Sequence, residues 1–114
     1  MLRYMAKQLS TLDRVFYALA DPTRRAVLQR LSHGPAAVSE LAQPFKMALP
    51  SFTQHLNILE ECGLVNSEKI GRIRTYQVAP KQIKMAEQWL VEHREVWEKR
   101  LNQLDNYLET IKEK

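Results

Sequence analysis

The stretch "LPSFTQHLNILEECGLV", Leu49 to Val65, decides how the whole chain is read. Leu49, Phe52, Leu56 and Leu59 step by 3, 4 and 3, the spacing of one helical face. Between them stand Ser51, Thr53, Gln54, His55 and Asn57, short hydrogen-bonding groups where a solvated helix usually mixes Lys and Glu. Pro50 suits the opening of a helix and Gly63 its close, so the spacing predicts a helix over about 50–62. Two readings fit these residues alone: an amphipathic helix whose polar face meets water, or a helix whose polar front reads something. The flanking sequence separates them.

Upstream, "STLDRVFYALADPTRRAVLQRLSHGP" predicts two helices. The first runs from about Thr11 with Leu12, Val15, Phe16 and Leu19 on one face. Asp21 is a good N-cap for the second, Pro22 suits its first position, and Gly34–Pro35 ends it. "AVSELAQPF" allows a short helix closed by Pro44, and "KMAL" is a turn. A short helix, a turn and a polar-fronted helix make a helix-turn-helix. Downstream, "LVNSEKIGRIRTYQVAP" predicts a two-stranded hairpin over about 65–78, with Ile73, Tyr76 and Val78 on the return side and a charged tip around Gly71. Placed there, the hairpin is a wing.

No helix breaker follows Pro80, which predicts one helix over about 81–112. In it Trp97, Leu101, Leu104, Leu108 and Ile111 step 4, 3, 4 and 3, and Leu90 precedes Trp97 by seven. This is a coiled-coil-like seam interrupted by Arg94. Such a helix outruns a body built from the remaining residues, so part of it is expected to pack on a second copy, with the first helix as a candidate partner. The expected fold is mainly α with a small β-hairpin: a single winged helix-turn-helix domain over 1–114 with a long C-terminal dimerisation helix.

Composition limits the function. Lys and Arg number 17 against 13 Asp and Glu, a net charge of +4. Residues 81–114 carry seven of each sign, so the whole excess lies in residues 1–80. A basic front with a balanced tail suits a body that binds a polyanion and a separate packing element. No apolar run approaches the roughly 18 residues of a membrane span, and the first residues lack a signal-peptide apolar core. A cytoplasmic protein with no membrane association is expected. The single cysteine, Cys62, excludes an internal disulfide and any paired-Cys metal site. His33, His55 and His93 form no i, i+4 pair and no carboxylate cluster completes a tetrahedral set, so no metal and no cofactor are expected. Nothing pairs a nucleophile with a base, and an enzyme is not expected.

As a reading helix, the front would enter a major groove about 12 Å wide. Gln54 and Asn57 pair well with adenine edges, while Ser51, Thr53 and His55 suit bases or phosphates. Lys69, Arg72 and Arg74 cluster at the hairpin tip as a wing on the sugar–phosphate backbone, or as a solvated turn. Arg24 and Arg25 open the second helix against its macrodipole, which suggests another use: a phosphate contact, or an ion pair with a nearby acid. Cys62 has no cationic neighbour in sequence and no resolving thiol, which weighs against a thiol switch.

The segments "FYALADPTRRAVLQRLS", "VSELAQPFKMALPSFTQHLNILEECGLV" and "GRIRTYQV" resemble the arsenic-repressor (ArsR) type of winged-helix transcription regulator in order and spacing. The tail "WLVEHREVWEKRLNQLDNYL" resembles a subgroup with a long terminal helix. The resemblance implies a homodimer with its first and last helices at the interface, here Leu12, Phe16, Leu90, Trp97, Leu101, Leu104 and Leu108. It implies a repressor, autoregulatory in the simplest case, on a palindromic double-stranded DNA operator; it names no inducer. It places Thr53, Gln54 and His55 in the reading triplet, Lys69, Arg72 and Arg74 in the basic wing, and Arg24 and Arg25 in a basic pair. Unlike metal-sensing members, the chain reads "SELAQPF" without a thiol on the short helix and keeps only His93 of the terminal-helix ligand set. Ala48 stands where similar proteins often have Ser. Two other classes compete with the DNA-binding reading. One is a protein-interaction module on the same scaffold; the other is an enzyme using Cys62 and a histidine, while a thiol- or ligand-responsive sensor repressor is an alternative within the DNA-binding reading.

Overall fold

The computed structural model describes residues 2–112, with side chains from Thr11 onward. Eight elements follow one another: α1 (Leu2–Leu19), α2 (Pro22–Leu31), β1 (Ala36–Ala37), α3 (Val38–Ala42), α4 (Leu49–Glu61), β2 (Val65–Ile70), β3 (Ile73–Val78) and α5 (Pro80–Lys112). They form two compact units, the second beginning at Met85. The fold is the expected one, mainly helical with a small sheet and a long terminal helix. Helix α1 begins nine residues before the expected Thr11, because "LRYMAKQLS" contains no breaker to stop it.

In the first unit, local chemistry sets the helix ends. The Asp21 carboxylate accepts the Arg24 backbone N–H at 3.0 Å, and Pro22 occupies the first helical position of α2. Helix α4 ends on Gly63, whose φ of +78° is the left-handed conformation that favours glycine. A Cβ there would also press on the Gln82 side chain at 3.0 Å. Gly71, at φ +64°, opens the two-residue turn between β2 and β3, as a tight hairpin requires of its first turn residue.

The core of this unit is apolar: Val15, Ala18, Val27, Leu31, Leu41, Phe52, Leu56, Leu59, Leu64 and Val65 are buried, with Tyr76 beside them. Phe52, Leu56 and Leu59 secure α4 as its spacing predicts, and each burial stabilises by about 1.5–3 kcal/mol. Phe45, in the turn before α4, adds a tilted ring contact to Phe52 at 5.3 Å. Leu49 departs from the expected face and is 59% exposed. It is the first residue of α4, ahead of the turn that meets the core.

The sheet has three strands rather than two, in the order β1-β3-β2, all antiparallel. Ala36 pairs with Tyr76 and Ala37 with Thr75, so β3 is the central strand. Two alanines carry no strand signal; the pairing to β3 creates β1. The wing register sets Val65 opposite Val78, Lys69 opposite Arg74 and Ile70 opposite Ile73.

The second unit is the remainder of α5. Its seam residues Leu90, Trp97, Leu101, Leu104 and Leu108 each leave 45–59% of their surface exposed. Trp89, His93 and Trp97 form an aromatic ladder on the same helix, the His93 ring stacked on Trp89 at 4.1 Å and Trp97 edge-on to Trp89 at 6.4 Å.

Candidate nucleic-acid interface

The candidate reading face is built from helix geometry. Phe52, Leu56 and Leu59 turn one side of α4 into the core, and at about 100° per residue Gln54 and Asn57 fall on the far side. Ser51, Gln54 and Asn57 are exposed, while Thr53 and His55 are half-buried on the flanks. The N-cap of α4 is Ala48, which makes no side-chain cap bond. The Leu49 and Ser51 N–H groups therefore open the helix without a side-chain acceptor, the arrangement that receives a phosphate. Glu60 and Glu61 sit at the opposite end of the helix. The polarity of α4 suits insertion of its N-terminal half into a groove, with its acids held away.

The wing concentrates charge. Lys69, Arg72 and Arg74 are all exposed, and Lys69 stands directly across from Arg74. Like charges at a directly opposed pair destabilise a sheet. A bound polyanion removes that cost. Arg74 is also tied to the body: its Nη1 donates to Ser67 Oγ at 2.8 Å, and that hydroxyl donates to the Glu60 carboxylate at 3.0 Å. Burial raises the Tyr76 phenol pKa, and the nearby Glu60 charge raises it further. Ile70 and Ile73, at the wing tip, are exposed as well.

Between α4 and the wing lies an open groove of about 360 Å³, lined by Ala37, Val38, Ser39, Leu49, Arg72, Ile73 and Arg74. The pairing of β1 with β3, which no short-range pattern encodes, brings Ser39 beside the wing, and Leu49 reaches the groove as the exposed first residue of α4. Sequence reasoning missed Lys46, exposed in the turn before α4. Its charge in "PFKMALP" was the available signal.

Arg24 does not belong to this surface, which corrects its expected phosphate role. It is 6% exposed. Its Nε donates to the Ala18 carbonyl at 2.8 Å, its Nη2 to the Tyr17 carbonyl at 2.9 Å, and its Nη1 lies 3.1 Å from His55 Nδ1. The guanidinium also lies 5.1 Å from the Tyr17 ring centre. Arg25, which is exposed, donates to the Leu19 carbonyl at 2.7 Å. The "TRR" pair thus caps the last carbonyls of α1 and meets the negative end of that helix. This explains cations at an N-terminus whose own dipole disfavours them. Asp21 completes the corner, 3.7 Å from His55 Nδ1. Burial pushes its carboxyl pKa up, but the Arg24 N–H bond, the His55 and Arg24 charges and a Thr23 N–H outweigh it and hold the pKa below the usual value.

Cys62 is buried beside Arg14, Tyr17 and Glu61. Burial raises its thiol pKa; Arg14 and Arg24 oppose this without reversing it. Among the described residues no group of three or more His, Cys, Asp and Glu could hold a metal ion. Among them, too, no helix is long and apolar enough to cross a membrane.

Known proteins share this arrangement. The helix-turn-helix domain family matches residues 19–68. The crystal structure of the ArsR family transcriptional regulator RHA00566 is 53% identical, covers 82% of this chain and 93% of its own, and superposes with a TM-score of 0.72. The chain belongs to the ArsR family of winged helix-turn-helix transcriptional regulators. Within that family it is 47% identical over 68 residues to the HTH-type transcriptional regulator Rv2034 of Mycobacterium tuberculosis, 60% of this chain and 64% of that regulator. The match therefore spans slightly under two thirds of that relative's length. The transcriptional repressor SdpR of Bacillus subtilis is 29% identical over 70% of this chain and 89% of its own. The solution structure of the homodimeric winged helix-turn-helix domain Mb0332 from Mycobacterium bovis is 28% identical, with a TM-score of 0.64 over 81% of this ArsR-family chain and 87% of its own.

Proposed function

We propose that this ArsR-family chain is a homodimeric, sequence-specific DNA-binding repressor, acting in the cytoplasm on a palindromic operator without a metal, a cofactor or catalytic activity. One observation carries the reading: α4 presents the uncharged donors and acceptors of Ser51, Gln54 and Asn57 next to a wing whose cations oppose one another in register. The division of labour is physical. Lys69, Arg72 and Arg74, with Arg25 and Lys46, supply sequence-independent attraction to phosphates. Freed from that task, Gln54 and Asn57 discriminate base edges at about 1–3 kcal/mol for each well-made pair. Thr53 and His55 contact DNA from the flanks.

A second copy covers the exposed α5 seam, Leu90, Trp97, Leu101, Leu104 and Leu108, together with Leu12 and Phe16 of α1. SdpR is a repressor and Mb0332 a homodimer, which supports both assignments by relationship. Two reading helices related by a two-fold axis would enter successive major grooves about 34 Å apart. Repression follows from occupying the promoter, including the chain's own.

A labelled duplex from that promoter tests the proposal. Gln54→Ala with Asn57→Ala should abolish discrimination between operator and random duplex while leaving salt-sensitive non-specific binding. Arg72→Ala should weaken all duplexes alike and lower the salt slope by about one per wing. Operator discrimination that survives the double substitution refutes the assignment of the reading face.

A further inference from the structure

We propose that Arg24 is a positioning residue for the reading helix: it holds the His55 ring in its Nε2–H form, so that His55 offers DNA a hydrogen-bond donor and no acceptor. The argument begins with what each group can do. A guanidinium has only donors, and it stays protonated. Its Nη1 lies 3.1 Å from His55 Nδ1, within hydrogen-bond distance. In the uncharged ring that bond exists only if Nδ1 supplies a lone pair, which leaves the one ring proton on Nε2.

The Asp21 carboxylate favours the other tautomer, since an Nδ1–H would donate to it. It stands 3.7 Å from Nδ1, beyond hydrogen-bond range, and already accepts the Arg24 backbone N–H at 3.0 Å. The nearer partner decides. Arg24 cannot easily turn away, because Nε and Nη2 are committed to Ala18 and Tyr17 at 2.8 and 2.9 Å in a buried position. The corner of α1 and α2 thus presets a side chain on α4.

The His55 side chain keeps 23% of its surface exposed, and Nε2 lies on the ring edge away from Nδ1. On DNA, an N–H donor there suits a phosphate oxygen or a base acceptor in the major groove: N7 of guanine or adenine, O6 of guanine or O4 of thymine. It finds nothing to bond in the amino groups of adenine or cytosine. This part rests on the DNA-binding reading; the tautomer does not.

The test has two separable halves. Histidine-labelled protein without DNA, examined by two-bond proton–nitrogen correlation, reports each ring's tautomer directly, and His55→Asn identifies the signal among the three histidines. The Nε2–H form is expected for His55, giving way to mixed tautomers in Arg24→Met. An Nδ1–H ring or mixed tautomers in the wild-type protein overturns the proposal, as does an Arg24→Met ring that stays wholly Nε2–H. Should Arg24→Met not fold, an Nδ1–H ring or mixed tautomers in the wild-type spectrum still overturn the proposal.

The second half measures operator binding. His55→Leu should weaken it roughly fivefold to tenfold, one neutral hydrogen bond. If the acceptor is a phosphate, a methylphosphonate at that position should reproduce the loss. If it is a purine N7, the 7-deaza base at that position should, and if neither does, the acceptor is an exocyclic base oxygen. Wild-type affinity in His55→Leu overturns the donor role. Loss of all operator discrimination in the wild-type protein would instead defeat the DNA-binding reading and leave the tautomer result standing.

Discussion

The two adjacent arginines at the start of α2 cap the same helix end from different environments, and replacing each by methionine should separate buried from exposed capping. Arg24 is 6% exposed and makes two short charge-assisted bonds to carbonyls of α1. At the low end of the usual range, about 1.5 kcal/mol each, their loss costs about 3 kcal/mol. The methionine stem replaces most of the arginine packing but cannot donate to Tyr17 or Ala18, whose carbonyls lose a charged partner in a place with little water. Arg25 donates to Leu19 at 2.7 Å on the surface, where water takes over the carbonyl. Arg25→Met should therefore cost no more than about 0.5 kcal/mol. With a urea slope of about 1.5 kcal/mol/M, Arg24→Met lowers the midpoint by about 2 M and Arg25→Met barely moves it. Both melts must be run at one protomer concentration, since assembly adds stability by mass action. Equal shifts for the two variants, or an Arg24→Met shift below about 0.5 M, would refute the claim that Arg24 is a buried cap rather than a surface cation.

Three further outcomes are expected. Ala48→Ser, at an N-cap already in extended geometry with φ −63° and ψ 143°, should stabilise the chain by about 1 kcal/mol, read as a higher melting temperature. Because the folded Asp21 pKa lies below its ordinary 3.8, its charge adds stability above that value and loses it as pH falls through the lower folded pKa. Asp21→Asn keeps a capping oxygen, so the stability gap to wild type should be widest above about pH 5 and close below pH 3.8, measured by urea midpoints; a gap independent of pH would contradict this. Cys62, buried and with a raised thiol pKa, should alkylate at pH 7.5 roughly tenfold or more slowly in the native protein than in urea. Rapid native alkylation would reopen a thiol-sensing role.

Which elements the sequence reveals follows from where their causes lie. Capping residues, prolines and glycines act within a few positions, so Asp21–Pro22, Pro50 and Gly63 mark α2 and α4 from the sequence alone. Helical spacing assigns Phe52, Leu56 and Leu59 to the core, and by exclusion Ser51, Gln54 and Asn57 to the front. The wing strands and the unbroken run of α5 are equally local. So is the basic cluster at the wing, because the hairpin register follows from its turn.

Tertiary structure decided the rest. Sequence shows that Arg24 and Arg25 oppose their own helix dipole, but not that the carbonyls they serve belong to the preceding helix. Only the packing of α2 against α1 and α4 separates the two, burying Arg24 against His55 while Arg25 stays outside. It likewise turned Ala36 and Ala37 into a strand and brought Leu49 and Ser39 to the edge of the wing. Burial and hydrogen-bond partners at these positions come from residues far apart in the chain, and no short-range pattern encodes them. The stretch from Leu49 to Val65 determined by itself that a polar face stands outward on a buried helix; the fold decided that His55, on its flank, is held from behind.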